Sequence, residues 1–436
     1  MSVTAPTFRE ALRFWLRLGL ISFGGPSGQI AIMHTELVEK KKWIGEERFL
    51  HALNYCMLLP GPEATQLATY CGWLLHRTWG GIAAGVLFVL PSALLLWLLS
   101  YIYVAYGQVM WIAAAFNGLK PAVTAIVFTA VWKVGQRALK TRLMWALAAA
   151  AFVSLFFLHA SFPAVIATAA AIGFAGGKSF PQWFPLTVAP RSETHTAIID
   201  DRAQAPEHTW PSWTRTCKVL AVSLVLWWIP VLVAGLWQGW HGTLTQQGFF
   251  FSKAALVTFG GAYAVLPYVG QQAVEHYTWL SSAQMLDGLG LAETTPGPLI
   301  MVLQFVGFLG GWNQPGALSP LVSATLGAAM TTWTTFVPSF LFIFLGAPHI
   351  EQVRGVAWLN HALSAVTAAV VGVILNLAVW FGLHAFIHAQ SDLDWFAIVV
   401  ALGAFAAIQR FKIGVISVVI ASAALGIARF IFLGRL

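Results

Sequence analysis

The sequence predicts an all-α polytopic membrane protein built from two inverted-topology repeats, with broken or re-entrant helices at Gly/Pro motifs. Two observations predict it. Apolar residues make up 58% of the 436 residues and charged residues only 9%, and the mean hydropathy is +0.74. So few charges cannot cover the surface of a water-soluble fold. Two short motifs also recur in register along the chain. A soluble enzyme, a nucleic-acid binder and a disordered scaffold are therefore disfavoured.

Runs of apolar residues long enough to cross about 30 Å of hydrocarbon mark the predicted helices. They lie near 80–105, 108–133, 142–159, 161–177, 216–238, 316–346, 355–387, 394–409 and 411–433. Two further apolar regions, 10–38 and 48–76, are each interrupted in the middle by Gly and Pro. The stretch 179–215 is polar and is predicted to be a cytoplasmic linker.

The two interruptions recur 236 positions later in the chain. Phe23-Gly24-Gly25 returns as Phe259-Gly260-Gly261, and Pro60-Gly61-Pro62 returns as Pro296-Gly297-Pro298. A recurrence in register indicates a duplicated unit. We therefore predict a first repeat over 8–178, a linker with one extra transmembrane helix over 179–243, and a second repeat over 244–433.

The extra helix and the positions of the basic residues predict that the second repeat is inverted. One added span between two units with an even number of crossings reverses the second unit. Loop 133–142 carries four Lys or Arg residues, and the equivalent loop of the second repeat, near 388–394, carries none. Conversely, the turn near 159–162 is uncharged, and the equivalent turn of the second repeat carries Arg410 and Lys412. Because basic loops stay in the cytoplasm, the N-terminus is predicted to be cytoplasmic and the C-terminus periplasmic.

The regions 10–38 and 48–76 allow two interpretations. If each crosses the membrane fully, Lys40-Lys41-Lys42 lies outside; if each folds back at its break, these lysines lie inside with Arg9 and Arg13. The positive-inside rule favours hairpins that fold back.

Broken helices in a membrane are tolerated where their free backbone groups line a cavity or are buried in protein. In carriers with inverted repeats, such helix ends form the substrate site, and N-terminal ends favour an anion. The alternative is that the breaks are kinks for packing, which their double recurrence makes less attractive. The predicted substrate-binding residues at the breaks are Phe23, Gly24, Gly25, Ser27, Gln29, Pro60, Gly61, Pro62, Thr65, Gln66, Gly260, Gly261, Thr295, Pro296, Gly297 and Pro298. Further polar side chains beside the breaks are Ser22, Thr258, Thr294 and Gln304.

Four charged residues lie within apolar segments close to the breaks. Arg17 and Lys253 occupy equivalent repeat positions and are predicted to contact a dianion, with snorkelling to the membrane interface as the alternative. Glu63 follows the first Pro-Gly-Pro, and Glu293 precedes the second. We predict that these carboxyls carry protons coupled to anion movement; the alternative is pairing with a basic neighbour or a helix cap.

At these residues the sequence resembles the chromate ion transporter family in its long, two-domain bacterial form. The similarity rests on Phe23-Gly24-Gly25-Pro26 and Leu59-Pro60-Gly61-Pro62 with their echoes in the second half. It implies secondary active export of chromate across the inner membrane and chromate resistance, with sulfate as a competitor. We expect this export to be coupled to protons or to the membrane potential. The expected partners are chromate and the lipid bilayer, without nucleic acid, cofactor or metal, and a homodimer stays open. Ala262 replaces Pro26 and Leu299 replaces Glu63 in the second repeat, so unequal roles are expected.

Three other functions stay open from the sequence. The nearest is import of sulfate or another oxyanion by the same kind of carrier. An intramembrane enzyme is disfavoured because no H-E-x-x-H or clustered-acid motif is present. A channel is disfavoured by the paired broken helices, which are typical of carriers.

Overall fold

The protein is almost entirely helical across the residues that the structure, a computed structural model, describes: 6–23, 25–107, 109–184, 198–199, 210–259, 261–349, 357–387 and 393–433. The side chains of Ser27, Pro181 and 357–360 are outside this description, as is most of the predicted linker. Within these ranges the α-helices are α1 (Phe8–Ile21), α2 (Gly25–His34), α3 (Glu46–Leu58), α4 (Glu63–Tyr106), α5 (Met110–Ala138), α6 (Arg142–Phe156), α7 (Phe162–Ser179), α8 (Trp213–Gln238), α9 (Thr243–Val257), α10 (Ala262–Gln271), α11 (Ser282–Thr294), α12 (Val302–Asn313), α13 (Pro320–Gly346), α14 (Ala357–Phe386), α15 (Trp395–Gln409) and α16 (Val415–Leu433). The predicted all-α membrane fold is confirmed.

The helices of the two halves correspond in order. Helices α1, α2 and α3 match α9, α10 and α11; α4 matches α12 and α13 together; and α5, α6 and α7 match α14, α15 and α16. Helix α8 has no counterpart and packs against α9 and α13. Among the described helices six are long and apolar enough to cross a membrane, and α8 is one of them. The chain is therefore a multi-pass membrane protein.

The interrupted regions fold back at their breaks. Helices α1 to α3 have only 14, 10 and 13 residues, too short for a full crossing of the hydrocarbon. After α2 the chain returns alongside α1, because the ring of Trp43 lies 5.1 Å from that of Phe14. The equivalent rings in the second half, Trp279 and Phe250, are 5.6 Å apart. Both halves thus contain the hairpins that the positive-inside rule favours.

Helix α4 reverses its direction at His76 and Arg77, whose backbone angles are not helical. Glycines allow the two arms to approach closely: a Cβ atom on Gly72 would lie 2.4 Å from the carbonyl oxygen of Gly80. The second half separates the equivalent arms into α12 and α13, and a Cβ on Gly311 would lie 2.3 Å from the carbonyl oxygen of Ser323. The small residues therefore create the closely packed helix pair in each repeat.

The long helices α5 and α14 join the two halves. Helix α5 packs against α15 and α16 of the second half, while α14 packs against α6 and α7 of the first, and α5 and α14 pack against each other. This exchange is reciprocal, as expected for two similar units related by a two-fold axis. It builds one continuous apolar core around α10 to α12, with Val127 of α5 and Val370 of α14 among its members.

Candidate substrate site at the helix breaks

The breaks of the two repeats meet each other through two equivalent backbone hydrogen bonds. The N–H of Gly61 donates to the carbonyl oxygen of Thr258 at 2.8 Å, and the N–H of Gly297 donates to that of Ser22 at 2.7 Å. Each Pro-Gly-Pro is thus bound to the residue that precedes the Phe-Gly-Gly of the other repeat. The four breaks therefore form one central junction.

The backbone of this junction requires glycine. Gly61 and Gly297 have φ angles of +123° and +99°, and Gly25 and Gly261 have +71° and +94°. Residues with a Cβ rarely adopt these angles. The predicted Gly24 and Gly260 lie outside the described residues.

Two serines that were not among the predicted site residues also line the junction. A Cβ on Gly61 would lie 2.6 Å from Ser339 Oγ, and a Cβ on Gly297 would lie 3.2 Å from Ser92 Oγ. Ser92 and Ser339 each follow a proline inside a long helix, in α4 and α13. The recurring Pro-Ser pair is the sequence signal that could have identified them.

Several polar side chains at the junction are fully buried without a partner. Among the described residues, no hydrogen bond is made by the hydroxyls of Ser22, Thr65, Ser92 and Ser339, nor by Gln66 Oε1. All five residues are at most 2% exposed. An unsatisfied buried polar group costs about 1–3 kcal/mol, so these groups are available to a polar ligand or to water.

Two side-chain amides hold the junction together, and Thr295 is satisfied within its own helix. Gln29 Nε2 donates to the carbonyl oxygen of Gly297, and Gln66 Nε2 donates to that of Pro60 at 2.8 Å. Gln29 thereby links α2 to the Pro-Gly-Pro of the other repeat. The hydroxyl of Thr295 donates to Ala292 within its own helix, so it is satisfied without a ligand.

Helix N-termini also point to this junction. Helices α2 and α10 begin at or beside Gly25 and Gly261, Pro62 is the N-cap of α4, and Pro298 is the N-cap of the 3-10 turn Leu299–Met301 before α12. The first N–H groups of a helix lack intrahelical partners and carry a partial positive charge. The junction therefore offers N–H donors and hydroxyls together, a set suited to an anion. Phe23, Pro60 and Pro296 complete the turns on either side.

The two predicted carboxyls both lie near the start of α10. A Cβ on Gly261 would lie 3.8 Å from Glu63 Oε1, so Glu63 of the first repeat faces the second. Glu293 is 6% exposed, and Tyr263 donates its hydroxyl to Glu293 Oε1 at 2.5 Å. Tyr263 replaces the Ser27 of the first repeat and was also missed by the sequence analysis.

Arg17 and Lys253 lie elsewhere. Both side chains are exposed, on the faces of α1 and α9 opposite to the buried residues such as Trp15 and Phe251. Arg17 is close enough to Glu36 to interact with it electrostatically. Their contact with substrate stays a prediction, and the junction itself is built without them.

Comparison with known proteins identifies the family of this chain. The Chromate transporter family matches the chain over residues 9–174 and 245–427. The chain belongs to this family. The "Chromate transport protein" of Cupriavidus metallidurans is 29% identical over 94% of this chain and 90% of its own length. That of Pseudomonas aeruginosa is 32% identical over 83% of this chain and 77% of its own. A "Probable chromate transport protein" of Synechococcus elongatus is 26% identical over 94% of this chain and 91% of its own.

No solved structure matches this protein. The described residues contain no group of three or more His, Cys, Asp or Glu side chains that could hold a metal ion.

Proposed function

We propose that this protein is a secondary active transporter that exports chromate across the inner membrane in exchange for protons and so confers chromate resistance. The observation that carries the proposal is the junction of four breaks, where buried hydroxyls without partners lie beside helix N-termini. Membership of the Chromate transporter family supports the substrate. In this function chromate crosses the membrane chemically unchanged.

The junction suits a tetrahedral dianion. Chromate presents four oxygen acceptors, and the hydroxyls of Ser22, Thr65, Ser92 and Ser339 are donors that the fold leaves unused. Backbone N–H groups at the starts of α4 and α10 supply partial positive charge. Because no full cationic charge is required, the anion can leave the site again. Sulfate has the same shape and charge and is therefore the expected competitor.

The proposed orientation places the N-terminus in the cytoplasm and the C-terminus in the periplasm. The tip of the first hairpin carries Lys40, Lys41 and Lys42, whereas the equivalent tip at 276–278 carries no Lys or Arg. Because the chain folds back at the break before α2, the connection between α2 and α3 lies on the same side of the membrane as the start of α1. The positive-inside rule then assigns the first tip to the cytoplasm and the second to the periplasm.

Proton coupling is assigned to Glu63 and Glu293. The carboxyl of Glu63 lies at the N-terminus of α4 and beside that of α10, where the chromate dianion would also bind. Two negative groups cannot share this position in a medium of low dielectric constant. Chromate therefore binds from the cytoplasm only when Glu63 is protonated. After chromate has left to the periplasm and the empty site faces the cytoplasm again, Glu63 releases its proton to the cytoplasm and must be protonated again from the periplasm before the next anion binds. In this cycle protons move inwards as chromate moves outwards.

Uptake of radiolabelled chromate into everted membrane vesicles tests the proposal. We expect accumulation that requires an acidic vesicle interior, falls when the proton gradient is dissipated, and falls with excess sulfate. Vesicles with Glu63→Gln should lose the dependence on the gradient, whereas the exposed Glu275→Gln provides a matched carboxylate-to-amide control. Chromate accumulation by right-side-out vesicles alone would instead identify an importer, and conductance without saturation would identify a channel.

A further inference from the structure

Helix α11 carries a second buried carboxyl group, Asp287, which the proposed site does not use. Asp287 is 5% exposed, and Glu293 on the same helix is 6% exposed. They are six positions apart, which corresponds to about 9 Å along a helix. Ionisable groups inside a membrane protein are costly and usually belong to ion or proton pathways.

The two carboxyls have the same kind of surroundings. Tyr103 of α4 donates its hydroxyl to Asp287 Oδ2 at 2.9 Å, as Tyr263 donates to Glu293. Each carboxyl also interacts electrostatically with a lysine of α5, Lys120 for Asp287 and Lys133 for Glu293. The same three residue types, a carboxyl, a tyrosine and a lysine, thus recur at two places along α11, which indicates two similar proton-binding sites.

One oxygen of Asp287 is unused. Asp287 Oδ1 is buried and makes no hydrogen bond within the described part of the chain. Lys120 Nζ instead donates to Asn117 Oδ1 at 2.8 Å. A carboxylate oxygen left in this way is expected to bind a proton or a water.

The titratable residues described on the other helices that pack against α11 have other partners. Helix α12 has no titratable residue. On α14, His361 and His384 bond to the carbonyl oxygens of Phe184 and Trp380. On α16, Arg429 pairs with Asp394 at 2.8 Å. Within the described ranges, the titratable groups that face Asp287 are therefore Tyr103 and Lys120.

We propose that Asp287, with Tyr103 and Lys120, is a proton-binding station that delivers protons to Glu293 and onward to Glu63 at the junction. This inference rests on the proposed function and adds the path that the proton takes. In the proposed orientation α11 starts at the periplasmic side, so Asp287 receives the proton first. The first repeat has no such path, because His51 and Met57 stand at the equivalent positions.

The proposed step moves one proton between two carboxyl groups, so that one becomes neutral as the other becomes charged. The carboxylic acid of Asp287 gives its proton to the carboxylate of Glu293 through intervening water or hydroxyl groups. Asp287 is left as a carboxylate, stabilised by Lys120, and can accept the next proton from the periplasm. Glu293 then passes its proton towards Glu63, whose protonation permits chromate binding.

Two transport modes of the purified full-length protein in liposomes test this path. The first is chromate uptake driven by a proton gradient; the second is exchange of labelled for unlabelled chromate without a gradient. Because exchange needs no net proton movement, we expect Asp287→Asn to lower driven uptake about tenfold or more while exchange stays within about twofold. A pH-sensitive dye inside the liposomes should show a matching loss of chromate-dependent proton flux. Glu275→Gln should leave both modes unchanged.

Each other outcome counts against the station. Driven uptake by Asp287→Asn at the wild-type rate would overturn it and leave the proposed function intact. Loss of both modes in well-folded protein would assign Asp287 a structural or binding role, and Asp287→Glu, which keeps the acid, should then fail to restore driven uptake. Absence of gradient-driven uptake in the wild-type protein would refute the proposed coupling itself.

Discussion

The two hairpins that end at the breaks, α2–α3 in the first repeat and α10–α11 in the second, have the same fold and different surroundings. Every residue of 264–270 and of 285–293 is buried, whereas α3 has exposed residues such as Asn54 and Met57. Helices α10 and α11 pack against α14 and α5, and the first hairpin packs mainly on α4. The two repeats thus have the same backbone geometry at the breaks, whereas the burial and the packing partners of their hairpins differ.

The tips of the hairpins show the same difference. The second tip is held inside its own repeat, where Asn313 Nδ2 donates to the carbonyl oxygen of Trp279 at 2.8 Å. The first tip is held by the linker: Ile199 N–H donates to the carbonyl oxygen of Trp43 at 3.2 Å, and Gly45 N–H donates to that of Ile199 at 3.0 Å. The second tip is therefore anchored by its own repeat and the first tip by the linker.

The largest effect is expected when the reciprocal bonds are broken. Gly61→Ala and Gly297→Ala place a Cβ at positive φ and within 2.7 Å of Ser339 or Ser92. Strain of this kind costs about 1–3 kcal/mol, and the added contact displaces the junction. Both variants should therefore lose nearly all chromate uptake in vesicles. Gly403→Ala in α15, where a Cβ meets nothing within 4 Å, is the control; normal uptake by either junction variant would contradict the reciprocal geometry.

A large and selective effect is expected from the carboxyl at the junction. Glu63→Gln should abolish the dependence of chromate uptake on the proton gradient and keep chromate exchange, because the amide occupies the same space without titrating. The measurement is the ratio of driven uptake to exchange over a range of pH. A gradient dependence equal to that of the wild type would remove Glu63 from the coupling path.

A moderate effect, equal in the two repeats, is expected from the serines. Ser92→Ala and Ser339→Ala each remove one hydroxyl donor, worth about 1 kcal/mol or roughly fivefold in affinity. Competition by sulfate in chromate uptake measures the change for both anions. If only one serine matters, the anion is bound by one repeat, and the reciprocal site is wrong.

The smallest effect is expected from the two exposed cations. Because Arg17 and Lys253 lie on outer faces, Arg17→Ala and Lys253→Ala should change the KM for chromate by less than about twofold, as is typical of exposed surface changes. Steady-state uptake at several chromate concentrations gives this value. A tenfold rise in KM for both would instead support their predicted contact with the anion.

The sequence predicts the junction well because its determinants are local. Positive φ angles need glycine and helix starts tolerate proline, so the recurrence of Gly25, Gly61, Gly261 and Gly297 marks the breaks directly. The exposed position of Arg17 was also readable in the sequence. Ala11, Phe14, Trp15 and Leu18 form the buried stripe of α1, and position 17 falls outside this helical spacing.

The remaining features depend on which helices meet in space. Ser92 becomes part of the site because α4 reverses at His76 and returns to the junction. Asp287 has only apolar residues and glycine directly on either side in α11, and only the packing of α4 and α5 on α11 gives it Tyr103 and Lys120 as partners. Neither contact has a signal in local spacing, because partners come from distant parts of the chain.

The number of chromate ions bound by each chain tests the central claim most directly. Equilibrium binding of radiolabelled chromate to the purified full-length protein should saturate at one ion per chain, because the breaks of both repeats build one junction. Ser92→Ala and Ser339→Ala should weaken this single site to a similar extent. Two ions per chain, or an affinity that responds to only one of the serines, would contradict a shared site and assign separate sites to the two repeats.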